Sequence, residues 1–335
     1  MSTAAIPATF DVPPSAAAGD APIHVSRWPS ERPLFAISLL AAIVLWVVIC
    51  VSVVGLVYAV ALGLFFFVMR LGFIAHVRGS AVRLGPDQLP ELHARVELLA
   101  RRMGLARVPE TYLMQAGGSL NAFATRFFRA NIVVLFSDLL DACGDDEAAR
   151  DMIIAHELGH IHAGHLRWHL LLLPATVIPF LGSALSRARE YTCDRYGLAG
   201  AGSPTGAVRG LTILAAGPKQ AAHVNHAAFV RQREQLNTGW MTLGEWLSTH
   251  PPLAKRLAQV DPALASRHVG TAGALRALAI LALVFAPLAA VGWISATRIP
   301  ALLEQAQAEA AAGGGTVGDE LSGYATDSTS APSER

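Results

Sequence analysis

His156-Glu157-Leu158-Gly159-His160 sets two imidazoles four residues apart, with a carboxylate beside the first. On an α-helix the i and i+4 side chains share one face, so both rings can reach one metal ion while Glu157 points along its edge. A zinc hydrolase needs that arrangement: two neutral nitrogen ligands and a base close to the attacking water. The flanks predict a helix. Asp145, Asp146 and Glu147 place negative charge where a helix N-terminus favours it, and Ala148 to His169 holds neither Pro nor a β-branched run.

Two imidazoles leave a third ligand to be found. A histidine ligand just after the motif would need Gly at position 163 and His at 166, but Ala163 and Leu166 stand there, with Gly164 and His165 each one residue off. Register therefore argues against a three-histidine site, and His162, His165 and His169 are expected on the exposed or interfacial part of the helix. A carboxylate from a later helix is the other solution. Ser186 to Asp194 (SRAREYTCD) is helical in character, with Glu190 and Asp194 one turn apart. Glu190 can complete the metal's protein ligands, and Asp194 can accept the N–H of a ligating imidazole and so fix its tautomer.

Further motifs follow this order along the chain. Asn121-Ala122-Phe123 precedes the HELGH motif, the Ser-Arg-x-x-Glu-Tyr-x-x-Asp segment follows it, and Thr249-His250-Pro251-Pro252 comes last with Arg256 behind. In these pieces the chain resembles the HtpX-like membrane-bound zinc metallopeptidases, the gluzincin family shared with the CAAX prenyl endopeptidases. The resemblance covers about residues 85 to 260. It implies that His156, His160 and Glu190 bind one zinc ion per chain, and that Glu157 is the catalytic base. It also implies that Asn121, Ala122 and Phe123 lie by an edge strand that pairs with substrate, and that His250 faces the reaction centre. Cys193 departs from the small apolar residue usual in relatives and reads as a buried small side chain.

Composition bears on the membrane. Hydrophobic residues make up 53% of the 335-residue chain, charged ones 15%, and the net charge is +1, so no nucleic-acid partner is indicated. From Leu34 to His76 the only charged side chain is Arg70. That run is about twice the ~20 residues of one span, so residues 34–76 read as a two-helix membrane hairpin with its apex at Ser52 to Gly55. Ala277 to Ile294 carries no charge, and residues 277–295 read as one more span, in which Pro287 is tolerable.

A third apolar stretch, residues 170–185, is short and carries Pro174 and Pro179. His160 and Glu190 must meet at one metal, so this stretch cannot cross the bilayer once. A membrane-dipping loop, an interfacial helix pair or part of the core all satisfy that, with a broken interfacial hairpin preferred. Arg27, Arg32, Arg78, Arg83, Arg267 and Arg276 gather on the catalytic side, against Arg298 alone opposite. The positive-inside rule then puts the peptidase domain in the cytoplasm, on a bacterial inner membrane. Three cysteines offer no disulfide framework and suit a reducing compartment, and the N-terminus shows no cleavable signal pattern.

The expected fold is α+β and mainly helical: a gluzincin-type zinc peptidase domain over residues 77–271, attached to transmembrane helices. Residues 1–33 and 299–335 read as disordered tails, the second Gly/Ser/Ala-rich from about Ala311. Pro86 to Met103 reads as an amphipathic helix stopped by Gly104, and Tyr112 to Gln115 and Asn131 to Phe136 as strands.

The expected activity is endopeptidase action on polypeptides, misfolded or membrane proteins above all, in contact with the lipid bilayer. Alternatives are a selective prenyl-peptide processing enzyme and a non-catalytic zinc-stabilised scaffold. An edge strand near Asn121 to Phe123, or else Asn131 to Phe136, would hold an extended substrate by strand addition. His250 is a candidate for oxyanion stabilisation or, alternatively, for helix capping. Arg256 would orient a carboxylate, bind the substrate C-terminus or lie on a solvated face.

Overall fold

A computed structural model describes residues 21–115, 117–265 and 270–325. Helices α1 (Glu31–Val51) and α2 (Val53–Ser80) lead, followed by strand β1 (Val82–Arg83), helix α3 (Pro90–Arg102), and strands β2 (Glu110–Met114), β3 (Ala122–Phe127) and β4 (Ala130–Phe136). Helices α4 (Ser137–Cys143), α5 (Glu147–His162), α6 (His169–Leu172), α7 (Leu181–Ala201) and α8 (Pro204–Ala221) come next. Helices α9 (His226–Arg231), α10 (Gly239–Leu247), α11 (Leu253–Val260) and α12 (Ala272–Ala325) complete the order. The expected α+β architecture, dominated by helices, is what forms.

The sheet order is β1-β2-β4-β3, with β2 parallel and β3 antiparallel to β4. Strand β4 is therefore interior, which explains why Ile132 to Phe136 is an unbroken apolar run. Val133 and Leu135 pack towards α3 and α5 with Val96, Leu99, Ile154 and Leu158. Ile132, Val134 and Phe136 face the other way, against Ile74 and Val77 at the end of α2. A strand buried on both faces has no need of polar alternation. The edges of the sheet are the two-residue β1 and the longer β3. Of the two segments offered as the substrate edge, Asn131 to Phe136 is thereby ruled out, because both its neighbours are occupied.

Among the described residues, three helices are long and apolar enough to cross a membrane: Glu31–Val51, Val53–Ser80 and Ala272–Glu309. Ser52 alone separates the first two, at φ −83° and ψ 116°, and its hydroxyl accepts from Gly55 N at 3.1 Å. Both far ends of this pair return to the sheet and the helices around it: Glu31 reaches Thr192, and Val77 packs on Tyr112. Arg70 donates to the Thr125 hydroxyl at 3.0 Å and to the Arg126 carbonyl, so the one charge in the first apolar run ties α2 to the edge strand. The stretch 170–185 forms the short α6, a 3-10 turn over Leu173–Val177, and a break at Phe180 (φ 66°). Leu172, Ala175 and Leu185 bury there against Ala42 of α1, while Leu170 and Val177 stay exposed.

The compact units divide at Gly273 and Ala274. The second consists of α12 with Pro287 and Pro300 inside it; the helix continues to Ala325 across much of the 299–335 tail, and residues 326–335 lie outside the described set. The N-terminal expectation needs correction as well. Residues 1–20 lie outside the described set, but 21–33 are ordered by specific contacts rather than loose. Ile23 is buried in the core and donates from its N to the Arg102 carbonyl at 2.7 Å, and Trp28 N donates to the Thr192 hydroxyl at 2.9 Å. Ile23, Val25 and Trp28 together with a buried polar cluster, described below, hold the segment. Arg267, counted above for orientation, also falls outside the described residues.

Candidate metal centre

Helix α5 begins at Asp146, whose carboxylate accepts from Ala149 N at 3.0 Å and pairs with Arg209. It carries His156, Glu157 and His160 into the interior and stops at His162, seven residues short of the expected His169. Gly164, at φ 76°, ends it with a left-handed residue that glycine adopts without strain. Helix α7 crosses α5 at very short range. A Cβ on Gly197 would stand 2.8 Å from the Met152 carbonyl oxygen, and one on Gly200 would collide with Ala155. This close approach sets Glu190 opposite the two histidines.

His156 Nε2 lies 3.5 Å from Glu190 Oε2, and His160 Nε2 lies 3.4 Å from Glu190 Oε1. The ligand atoms of these three residues are all within 4.8 Å of one another. Two neutral nitrogens and one carboxylate oxygen on a buried face, with one side open to a cavity, are a donor set that suits zinc. The electrostatics point the same way. Burial opposes the charge on His156, but the Asp194 and Glu190 carboxylates outweigh it and raise the imidazole to about 10. Burial likewise opposes ionisation of Glu190, and the two histidines overcome it and hold the carboxyl well below the usual range. Without a metal these carboxylates hold a proton on His156, and zinc ligation would displace it.

Each ring's outer nitrogen has a partner. His156 Nδ1 sits 3.1 Å from Asp194 Oδ1, as the one-turn spacing of Glu190 and Asp194 predicts. Arg256 donates to Asp194 from Nε at 2.8 Å and from Nη2 at 2.5 Å, and its Nη1 is 3.5 Å from Glu190 Oε2. Arg256 is buried, so the solvated-face reading fails. Its guanidinium pairs with Asp194 and Glu190, as the carboxylate-orienting reading expects, and the residue also lines the cavity over the centre. Burial works against the Asp194 charge, and Arg256 with His156 reverses that, keeping the carboxyl below its ordinary value.

A cavity of about 320 Å³ opens over the centre, lined by Asn121, Ala122, Phe123, Glu157 and His250 along with the three ligand candidates. The start of edge strand β3 thus runs along its wall. His250 is largely exposed at the rim, its Nε2 3.7 Å from Glu190 Oε1. It caps no helix, since Pro252 precedes α11 without a side-chain cap.

His165 is where the reading from sequence missed. It is 5% exposed, not interfacial, because the chain turns back at Gly164 once α5 has ended. Its Nδ1 is 3.1 Å from His160 Nδ1 and its Nε2 is 3.2 Å from Glu31 Oε1, and Cys193 Sγ lies 3.7 Å away. Burial pushes the His165 imidazole down to about 4, which keeps it neutral. Cys193 is fully buried as expected. No local pattern signals the pairing with Glu31, which stands 134 residues earlier in the chain.

Comparison with known proteins agrees with this geometry. The model of Peptidase family M48 matches residues 86–175 and 168–263. The plastoglobule-localized metallopeptidase 48 of Arabidopsis thaliana is 26% identical over 208 residues, 55% of this chain and 59% of its own length. The protease HtpX homolog of Salinibacter ruber is 28% identical over 54% of this chain and 77% of that protein, and the one of Gemmatimonas aurantiaca 24% over 63% and 88%. This chain thus spans about three fifths of the plant relative and more of the HtpX homologs. The solved structure of S. mikatae Ste24p aligns with 69% of this chain and 62% of its own at 16% identity, with a TM-score of 0.37. Since the family model extends over more than half of the chain and takes in every residue of the centre, the chain belongs to peptidase family M48.

Proposed function

We propose that the protein is a membrane-bound zinc-dependent endopeptidase. The observation that carries this reading is the convergence of His156, His160 and Glu190 on the floor of a cavity whose wall is the free edge of β3. His156, His160 and Glu190 would hold one zinc ion. When bound, the ion lowers the pKa of a water towards ~7 and polarises the scissile carbonyl.

The chain's own groups do the rest. Glu157, on the cavity wall beside the ligands, takes the proton from the attacking water and delivers it to the leaving amine. His250, at the rim, would stabilise the oxyanion. Asn121, Ala122 and Phe123 present main-chain groups along which an extended substrate adds as a further strand, a mode that tolerates many side chains. The natural substrates in this reading are misfolded or membrane polypeptides, reached from spans α1, α2 and α12. The basic residues Arg27, Arg32, Arg78 and Arg83 beside the first two spans support a cytoplasmic peptidase domain on a bacterial inner membrane.

Casein hydrolysis by the purified full-length protein tests the reading. Activity should vanish with a chelator and return with added zinc; casein cleavage untouched by the chelator would refute it.

A further inference from the structure

Glu31 is the first residue of the first membrane helix, yet it is 1% exposed and lies inside the peptidase unit. Arg27 Nη1 donates to its Oε1 at 2.7 Å, the Thr192 hydroxyl donates to its Oε2, and His165 Nε2 stands 3.2 Å from Oε1. Arg27 is itself anchored, its Nη2 donating to the Ala163 carbonyl at 2.7 Å. A buried carboxylate that receives this many donors is fixed in place.

The proton positions follow link by link. To ligate a metal shared with Glu190, His160 must leave its Nε2 lone pair free, so its ring proton sits on Nδ1. That N–H donates to His165 Nδ1, 3.1 Å away. His165 must then carry its own proton on Nε2, which donates to Glu31. The chain is self-consistent only if it ends in a group that accepts, and a carboxylate does. His156 has the corresponding support in one step, from Asp194.

We propose that Glu31 and His165 are positioning residues for the metal ligand His160, so that the mouth of the first membrane helix helps to hold the metal centre. The proposal deepens the zinc-peptidase reading and rests on it. Outer partners of ligating histidines fix ring orientation and raise basicity, and their loss typically lowers metal affinity 10–100-fold.

The test uses the full-length protein in detergent. Metal affinity is read by chelator competition, and ligand geometry by the visible spectrum of the cobalt-loaded protein. Glu31→Ala and His165→Leu should each weaken metal binding by about 10–100-fold and shift the cobalt bands at saturating metal. Glu31→Gln, which keeps an acceptor oxygen, should lie between Glu31→Ala and wild type. The double variant Glu31→Ala/His165→Leu should lose little more than either single one, since both break one chain of contacts. Ile23→Ala loosens the same segment without touching these contacts and should bind metal as wild type does.

Wild-type affinity and spectrum in Glu31→Ala would overturn the proposal, as would full additivity or an equal loss in Ile23→Ala. A thiolate charge-transfer band in the cobalt form would place the ion between His165 and Cys193, again overturning it. A wild type that binds no metal would instead defeat the zinc-peptidase reading, and the proposal with it.

Discussion

Glu157 and Asp146 sit on the same helix and do separable things. Glu157 lines the cavity without being a ligand candidate, so Glu157→Gln should keep zinc and lose most proteolysis, at least a hundredfold in kcat. Zinc content and turnover of an unfolded substrate, measured on one preparation, check both halves. Asp146 acts on stability alone. The Arg209 guanidinium holds its carboxyl below the ordinary 3.8. A carboxyl lowered in the folded state contributes fully above its ordinary value and loses that contribution as pH falls through the folded one. Asp146→Ala, which also removes the cap, should cost about 1 kcal/mol at pH 7 and progressively less as pH falls below the ordinary 3.8, by denaturation across that range.

At the scale of elements, the crossing of α5 and α7 determines whether the ligands meet. Gly197 is the closest point: an added Cβ would collide with the Met152 side chain and also stand 2.8 Å from the Met152 carbonyl oxygen, which cannot swing away. Gly197→Ala should therefore force the helices apart, destabilise the protein by about 1–3 kcal/mol and lower zinc affinity in parallel. Melting temperature and metal titration read the two effects. A variant that melts lower but keeps its zinc affinity would show that Glu190 does not depend on this crossing.

Much of this scale was legible in the sequence, because it rests on local signals. The i, i+4 pair, the Glu190–Asp194 turn and the apolar β4 run are each read within a few residues. What was not legible depends on distant partners. Nothing local says that β3 and not β4 lies at the sheet edge, or that Arg256 turns inward to Asp194. The end of α5 at His162 was missed because Gly164 was read as a register mismatch instead of a stop. His165 and Glu31 were missed for the same reason, since each looks solvated until the fold brings them together.

For the whole molecule, the membrane arrangement frames the chemistry. The far ends of α1 and α2 both return to the peptidase unit, and α12 adds one more apolar helix, so three spans are expected. Reporter fusions at the two termini should report opposite sides of the membrane; the same side would exclude a hairpin plus one span. All of this serves one claim, that a single zinc ion is held by His156, His160 and Glu190. The most direct measurement is the zinc content of freshly isolated full-length protein beside its Glu190→Ala variant. The account predicts one ion per chain in the first and a large loss in the second. One ion per chain in both would contradict it, since the third ligand would then lie elsewhere.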